Sequence, residues 1–173
     1  HFIFNTLSAV QHWVDVGDAR AGPMLRSLTA FLRGSTELLG RDSATLADEV
    51  DTLRHYLAVM QARLGERLRS RVQVDAEAGA QLLPPGLLLT LVENAVEHGI
   101  AAAVSGGEIE VDAVRDGPRC VIQVVDSAGA LPELAAGEVS ADAPPGRIPG
   151  RELRSGGPLG GRLLLVRARS YPR

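Results

Sequence analysis

The sequence contains no lysine, because all 18 of its basic residues are arginines. A P-loop holds nucleotide phosphates with a lysine, so Walker-type NTPases are excluded. Enzymes that form a Schiff base on lysine and protein-serine kinases are excluded for the same reason. The absence of one residue type therefore removes three large classes of enzyme.

Aromatic residues are also scarce, at 3%, and the net charge is -3. Without a basic surface or aromatic residues for base stacking, we expect no nucleic-acid partner. Cys120 is the single cysteine, which provides neither a disulfide framework nor a zinc site. No apolar run approaches the roughly 20 residues of a membrane-spanning helix. Since the chain starts at His1 rather than methionine, we expect it to be an excerpt, with any membrane contact made only by segments outside it.

Two amphipathic helices are predicted at the start of the chain. Apolar residues recur with helical spacing at 3, 7, 10 and 14, and again at 24, 25, 28, 31, 32, 38 and 39. Asp18 is the expected N-cap between them, and Pro23 is tolerable in the first turn of the second helix. A lone hairpin cannot bury both apolar stripes, so a second copy of the chain is expected to complete a four-helix bundle.

The remaining patterns predict an α+β domain after this helical dimerisation arm. A long amphipathic helix is predicted over 46–68, a strand over 71–76 and another helix from Leu87 to Ala103. The segments 108–115 and 119–126, joined by an Asp-Gly turn, predict a β-hairpin. Residues 127–161 are rich in Ala, Gly and Pro, which predicts a functional lid or a disordered segment. A short helix is predicted within 161–173.

Four segments carry a resemblance to a known family: "HFIFNTL" at 1–7, "LRGS" at 32–35, "LADEVDTLRHYLAVMQARLGERL" at 46–68 and "PPGLLLTLVENAVEHGI" at 84–100. The sequence from His1 to about Asp126 resembles the LytS/YehU-type sensor histidine kinases. The resemblance implies a kinase that binds ATP and Mg²⁺, autophosphorylates on histidine, and passes the phosphoryl group to an aspartate of a response regulator. It further implies a homodimer, a regulator of the LytTR type, and the cytoplasmic portion of a bacterial inner-membrane sensor.

The resemblance also implies a division into two domains. Residues 1–42 are expected to form the dimerisation and histidine-phosphotransfer hairpin. Residues 43–173 are expected to form a Bergerat-type ATP-binding domain, a mixed sheet covered by helices on one face. The family continues with further strands, so we expect this domain to be truncated at its C-terminal end.

The family motifs assign roles to individual residues. His1 is the phosphoacceptor, and Asn94 matches the Mg²⁺ ligand, since Mg²⁺ takes oxygen ligands. Glu93 is expected to orient water or the metal shell, and His98 to reach the phosphates or the ribose. Asp126 is expected to accept a hydrogen bond from the amine of adenine. On its own, the stretch around Asn94 also fits a simpler interpretation, in which the amide bonds to nearby backbone and the carboxylates face water.

Glycines and arginines complete the expected site. Backbone N–H groups of a glycine-rich loop are expected near the phosphates; the glycines are Gly129 in the first box and Gly156, Gly157, Gly160 and Gly161 in the second. The boxes depart from the family pattern, since "DSAGA" at 126–130 has alanines where glycines are usual. Glu97 stands where lysine is common, and Arg162 or Arg167 is expected to offset its charge.

Two alternatives remain open from the sequence. The altered glycine boxes and Glu97 fit a degenerate, non-catalytic dimeric signalling module of the same fold. A gyrase-like ATPase without phosphotransfer would share the nucleotide pocket but would not need "HFIFN".

Overall fold

A helical hairpin opens the computed structural model of the chain, which describes residues 2–116, 119–128, 137–139 and 162–169. Helix α1 spans Phe2–Asp15 and helix α2 spans Ala21–Leu39. The prediction that Asp18 caps α2 is wrong, because the N-cap is Arg20 and no side chain caps the helix; Asp18 instead accepts a hydrogen bond from the backbone N–H of Arg20 at 2.9 Å. The hairpin predicted from apolar spacing is therefore present, with Pro23 in the first turn of α2 as expected.

Helix α3 spans Leu46–Leu64 and packs along α2. It begins with a capping box, in which the side chain of Thr45 accepts from the backbone of Asp48 and the Asp48 carboxylate accepts from the backbone of Thr45. Gly34 of α2 allows the two helices to approach closely, because a Cβ at this position would lie 2.6 Å from Oγ1 of Thr52. A 3₁₀ turn over Gly65–Arg67 follows α3.

Short elements lie on both sides of α3, with one strand before it and a short helix and a second strand after it. Strands β1 (Ala44–Thr45) and β3 (Leu82–Leu83) pair antiparallel, and α4 spans Ala76–Gly79. Helix α5 then spans Leu87–Ala95 and continues as a π-helical turn over Val96–Ile100. The helix predicted to run to Ala103 is therefore too long, since regular helical geometry stops before that residue.

A five-stranded mixed sheet forms the second layer. Its strands are β2 (Leu68–Val74), β4 (Gly107–Asp116), β5 (Arg119–Asp126), β6 (Gly137–Val139) and β7 (Arg162–Arg169), in the order β2-β4-β5-β7-β6. The predicted hairpin is the antiparallel pair β4–β5, whereas β2 pairs with β4 in parallel. Alternate residues of β4 and β5 are buried, including Val111 and Ile122, which gives the sheet one face in the core.

The prediction of a helix near the C-terminus is wrong. Residues 162–169 form strand β7, which pairs antiparallel with β5. An apolar run of four residues is too short to distinguish a helix from a strand by periodicity. Pairing with β5 satisfies the backbone groups along the edge of a hydrophobic sheet, and this tertiary contact decides the outcome.

The hairpin and the α+β layers share one hydrophobic core. The ring of Phe2 lies 5.4 Å from that of Phe31 and 5.3 Å from that of Tyr56, so one aromatic cluster joins α1, α2 and α3. Buried residues of the hairpin, such as Met24 and Leu28, belong to the same core as Leu53 and Ile109. The division into domains near residue 42 remains a prediction.

Candidate functional site

Four polar side chains lie on one face of α5 and the π-helical turn. Glu93 is half-buried, and Asn94, Glu97 and His98 are exposed. The apolar residues between them are buried: Leu91, Val92, Ala95, Val96 and Ile100. Spacings of three and four residues place side chains on a common face, so these four form a polar stripe above a buried apolar face.

The amide of Asn94 is available to a ligand. Within the described part of the chain, the Asn94 side chain makes no hydrogen bond to backbone or to another side chain. No backbone partner of the amide, which the simpler interpretation expects, is found among the described residues, whereas Glu97 is exposed as that interpretation expects. An exposed amide oxygen of this kind fits the preference of Mg²⁺ for oxygen ligands beside phosphates and water.

Glu93 is the stripe residue with a perturbed protonation equilibrium. Burial, followed by the nearby charge of Glu97, raises the pKa of its carboxyl to about 6. A carboxyl that titrates this close to neutrality is able to exchange protons under physiological conditions, and such groups concentrate at functional sites.

A buried carboxylate on α3 holds the start of the helix that carries the polar stripe. Glu49 is fully buried, and its side chain accepts hydrogen bonds from the backbone N–H groups of Gly86, of Leu88 at 3.1 Å and of Leu89 at 3.4 Å. Gly86 adopts a left-handed conformation (φ 78°) that glycine tolerates best. The negative charge also complements the positive end of the helix dipole, although burial raises the pKa of Glu49.

Sequence analysis missed Glu49, but a signal was present. Glu49 falls within the apolar stripe of α3, three residues after Leu46 and four before Leu53, where an unpaired carboxylate would be costly. A charged residue at such a position indicates a buried partner, which here is the N-terminus of α5.

Arg67 closes the other end of the same helical segment. Its Nη2 donates hydrogen bonds to the carbonyl oxygens of Ala101 at 3.0 Å and Ala103 at 2.8 Å. Carbonyl groups at the C-terminal end of a helix lack intrahelical partners, and arginine satisfies them favourably. The polar stripe is therefore fixed at both ends by charged side chains from the α3–β2 region.

A pocket of about 260 Å³ lies beside the polar stripe. Its lining comes from three separate parts of the chain: Asn5 of α1, Met60 and Arg63 of α3, and Glu97, His98 and Ala101. Asn5 belongs to the "HFIFN" segment, and Glu97 and His98 belong to "LVENAVEHGI". The fold therefore brings the two sequence motifs to a single cavity.

Arg63 and Tyr56 are further residues of this region that sequence analysis did not select. Arg63 is half-buried, and its Nη1 lies 3.5 Å from Sδ of Met60. The hydroxyl of Tyr56 is buried without a hydrogen-bond partner in the described structure, and burial followed by the charges of Glu93 and Glu97 raises its pKa, which Arg63 counteracts. Helical spacing from Tyr56 to Met60 and Arg63 was the signal available in the sequence.

Asp126 lies at the end of β5, where it is fully buried. Its Cα is paired with that of Ile109 in β4 and that of Arg162 in β7. The adjoining Ser127 accepts a hydrogen bond from the backbone N–H of Glu108 through its Oγ at 2.8 Å, which ties the strand end to β4. The role of Asp126 in adenine recognition, which the resemblance implies, stays a prediction.

Several residues assigned from sequence fall outside the described residues: His1, Gly129, Gly156, Gly157, Gly160 and Gly161. Arg162 and Arg167 are described only as backbone of β7. Over the described residues, no group of three or more His, Cys, Asp or Glu side chains is arranged to hold a metal ion. A Mg²⁺ site here would therefore rely on Asn94 together with ligand oxygens and water.

The sequence of this chain is similar to that of known proteins. Residues 1–68 match the family model described as histidine kinase. Sensor histidine kinase BtsS of Escherichia coli (strain K12) is 31% identical over 131 residues, which cover 75% of this chain and 23% of that protein. The chain belongs to the LytS/YehU-type sensor histidine kinase family.

Two further relatives agree with this membership of the LytS/YehU-type family. Sensor histidine kinase YpdA of Escherichia coli (strain K12) is 29% identical over 146 residues, covering 84% of this chain and 26% of that protein. Sensor histidine kinase/phosphatase LytS of Staphylococcus aureus (strain Mu50 / ATCC 700699) is 29% identical over 129 residues, covering 75% of this chain and 22% of that protein. The chain thus spans about a quarter of the length of these relatives.

A solved structure titled "1.7 Angstrom Structure of a Bacterial Phosphotransferase" is also similar, at 19% identity and a TM-score of 0.40, over 72% of this chain and 62% of that chain. A likeness at that TM-score is too distant to support an inference. Among the described helices of this LytS/YehU-type chain, none is long and apolar enough to span a membrane.

Proposed function

We propose that this chain is the kinase core of a two-component sensor, which binds ATP with Mg²⁺ and autophosphorylates on His1. The observation that carries the proposal is the shared pocket. Asn5 of the "HFIFN" segment lines it together with Glu97 and His98 of the polar stripe. Phosphoryl transfer depends chiefly on positioning and charge neutralisation, so an acceptor segment beside a nucleotide-binding helix is the arrangement that the reaction needs.

The proposed nucleotide site extends from the polar stripe to the end of β5, within a Bergerat-type domain of residues 43–173. Asp126 accepts a hydrogen bond from the exocyclic amine of adenine, which distinguishes adenine from guanine. His98 contacts the phosphates or the ribose, and glycines beyond Ala128 supply backbone N–H groups to the phosphates. The available amide of Asn94 supports this assignment, since the residue has no structural partner among those described.

Asn94 is the proposed protein ligand of Mg²⁺, with Glu93 beside it to orient coordinated water. Mg²⁺ neutralises phosphate charge when it is bound. The two residues are adjacent on α5, which suits a metal that keeps several waters and bridges to phosphate oxygens rather than occupying a cage of protein ligands.

The proposed step is a nucleophilic displacement at phosphorus. A neutral imidazole nitrogen of His1 attacks the γ-phosphorus with its lone pair. The N–P bond forms as the P–O bond to the β-phosphate breaks, and ADP leaves with that electron pair. The remaining ring N–H proton goes to water. An aspartate oxygen of a response regulator, of the LytTR type, then attacks the same phosphorus: the O–P bond forms as the N–P bond breaks, and the imidazole leaves with that electron pair and takes back a proton from water.

We assign homodimer formation to the hairpin of residues 1–42. Helix α1 exposes apolar side chains at helical spacing, with Phe4 77% exposed and Leu7 45% exposed, alongside Ile3 and Val14. Residues at these positions would be covered in a four-helix bundle with a second copy. Since this chain spans only about a quarter of the length of these relatives, we place it in the cytoplasmic part of a larger inner-membrane sensor.

Incubation of the full-length protein with γ-labelled ATP tests the function. We expect a protein-bound label that is stable to base and labile to acid, and we expect His1→Gln to abolish it. The matched control is His12→Gln, an exposed histidine of α1 that should keep the label. Absence of the label from the unaltered full-length protein would contradict the proposal.

Nucleotide binding provides an independent test by calorimetric titration with a non-hydrolysable ATP analogue and Mg²⁺. We expect Asn94→Ala to abolish binding. Gln73→Ala, which removes an exposed amide from strand β2 on the sheet, is the control and should bind normally. The second candidate is the non-catalytic dimeric module, which is supported by the carboxylate of Glu97 in the pocket. Failure of the unaltered protein to bind any nucleotide would favour this module.

A further inference from the structure

The pocket beside the polar stripe contains both charge signs. Glu97 contributes a carboxylate, and Arg63 contributes the only permanent positive charge among the described residues that line the pocket. Phosphate groups near Glu97 would be repelled unless a cation compensates. The sequence assigns that task to Arg162 or Arg167, whereas the described pocket already contains an arginine.

Among the described residues, Arg63 forms no ion pair with a carboxylate. Over the residues that the structure describes, its single polar contact is Sδ of Met60 at 3.5 Å. Arg54 of the same helix differs, since its Nη1 lies 3.3 Å from Oδ1 of Asp51. A half-buried guanidinium without an anionic partner loses hydration and gains nothing in return, so its position favours an anionic ligand.

The backbone of Arg63 is well anchored for such a role. Met60, one turn earlier on α3, is 1% exposed, and Tyr56, another turn earlier, is fully buried against Phe2 and Phe31. A side chain on a buried helix is held more accurately than one on a loop. The guanidinium therefore reaches the pocket from a helix whose position is fixed by buried side chains.

The position of the pocket identifies which part of a nucleotide would reach it. Asn5, which follows the proposed acceptor His1 by four residues in the sequence, lines the pocket from the side of α1. Glu97 and His98 line it from the side of Asn94, about one turn along the helix. The group that must lie between the acceptor histidine and the Mg²⁺ ligand is the terminal phosphate.

We propose that Arg63 binds the terminal phosphate of ATP and stabilises the phosphoryl group as it passes to the acceptor histidine. This inference rests on the proposed kinase function. Arginine donates two parallel hydrogen bonds to phosphate oxygens and remains charged throughout, so it transfers no proton in the step. The family resemblance puts lysine at the position of Glu97. Because this chain has no lysine, Arg63 supplies the positive charge in this site.

Binding measurements on the full-length protein separate this role from a structural one. The dissociation constants of a non-hydrolysable ATP analogue and of ADP, each with Mg²⁺, are measured by calorimetry for the unaltered protein and for Arg63→Gln. We expect the analogue to bind about ten- to a hundredfold more weakly to the variant, the loss typical of a charge-assisted hydrogen bond. ADP, which lacks the terminal phosphate, should bind within about twofold of the unaltered protein.

Two further variants complete the experiment. Arg54→Gln removes an arginine from the same helix outside the pocket, and we expect it to change neither affinity. Arg63→Lys keeps the charge but loses the planar pair of donors, and we expect it to restore part of the analogue's affinity. This variant also retains the aliphatic stem if Arg63→Gln folds poorly.

The outcomes are distinct. Equal weakening of ADP and the analogue, or no weakening of either, overturns the role of Arg63 while leaving the kinase function intact. If the unaltered protein binds neither nucleotide, the proposed function falls and this inference falls with it.

Discussion

The carboxylate of Glu49, on α3, accepts a hydrogen bond from the backbone N–H of Leu88, in the first turn of α5, over 3.1 Å. The same carboxylate also accepts from Gly86 and Leu89, so one side chain satisfies several N–H groups that a helix start leaves unpaired. The helix that carries the polar stripe is thereby attached to α3.

Replacing Glu49 should destabilise the protein. Glu49→Gln keeps the shape but directs an NH₂ group at backbone donors, so we expect the free energy of unfolding to fall by about 1–3 kcal/mol, the cost of unsatisfied buried groups. Urea denaturation followed by circular dichroism measures it. Asp51→Asn, at an exposed carboxylate on the same helix, should change stability by less than about 0.5 kcal/mol. Equal effects of the two variants would contradict the capping role.

Gly34 should tolerate alanine poorly because of its contact with Thr52. The added Cβ would lie 2.6 Å from Oγ1 of Thr52, and overpacking of this kind costs about 1–3 kcal/mol. Gly22→Ala is the matched control on α2, since its Cβ would meet only Nη1 of Arg26 at 3.5 Å. Thermal unfolding should show a lower midpoint for Gly34→Ala than for Gly22→Ala.

A double variant tests the cause of that loss. Thr52→Ala removes the hydroxyl and methyl groups that the new Cβ of Gly34→Ala would meet. We therefore expect the two changes together to cost less than the sum of the single changes, by about 0.5–3 kcal/mol in a double-mutant cycle. Simple additivity would show that the steric contact is not responsible.

The pKa of Glu93 predicts a pH dependence of stability. Burial, aided by Glu97, raises this pKa from 4.5 to about 6 in the folded protein. The folded state then holds its proton more tightly than the unfolded state. The stabilising contribution is complete below about pH 4.5 and is lost as the pH rises through about 6. Urea denaturation across this range should show the loss in the unaltered protein and not in Glu93→Gln.

Two variants distinguish the causes of this dependence. Glu77→Gln removes an exposed negative charge elsewhere and should leave the decline between pH 4.5 and 6 in place. Glu97→Gln removes the second cause of the raised pKa, so the decline should move to lower pH. If the decline in stability persists unchanged in Glu93→Gln, a titratable group other than Glu93 causes it.

The hydroxyl of Tyr56 should be dispensable for folding. It is buried without a partner in the described structure, so Tyr56→Phe removes an unsatisfied polar group and should leave stability unchanged or raise it by about 1 kcal/mol. Thr6→Val is the contrast, because Oγ1 of Thr6 donates to the carbonyl oxygen of Phe2 at 2.8 Å. That change should cost about 0.5–1.5 kcal/mol in urea denaturation. A marked loss of stability in Tyr56→Phe would reveal a partner for the hydroxyl.

Autophosphorylation is expected within one chain. Asn5 and His98 of the same chain line one pocket, so the acceptor segment and the polar stripe need no second subunit to meet. Heterodimers of full-length His1→Gln and Asn94→Ala protomers, isolated with two different tags, should carry no label from γ-labelled ATP. Transfer between subunits would instead give about half of the unaltered label, since one intact acceptor and one intact nucleotide site would remain in each dimer.

The sequence predicts the polar stripe because helical spacing alone determines it. Glu93, Asn94, Glu97 and His98 recur at intervals of three and four residues, and local geometry places them together. Arg63 is different: its place in the pocket depends on how α3 packs against α5 and α1. No periodicity within a single helix contains that information.

Tertiary contacts also explain the error at the C-terminus and the omission of Glu49. Strand β7 exists because β5 offers it a pairing edge, and the apolar run that begins it is equally compatible with a helix. The partners of Glu49 lie in the loop before α5 and in its first turn, far along the chain. Its presence among apolar residues indicates a buried partner but does not identify one.

The rings of Phe2, Phe31 and Tyr56 belong to three different helices and touch one another pairwise. If α2 slides or rotates relative to α1 and α3, Phe31 must separate from the other two rings. Each such pair contributes about 0.5–1.5 kcal/mol beyond its buried area, so the aromatic cluster opposes any such displacement of α2. Phe2 is next in sequence to His1, the proposed phosphoacceptor, so the aromatic cluster would link a displacement of α2 to the proposed site of phosphorylation.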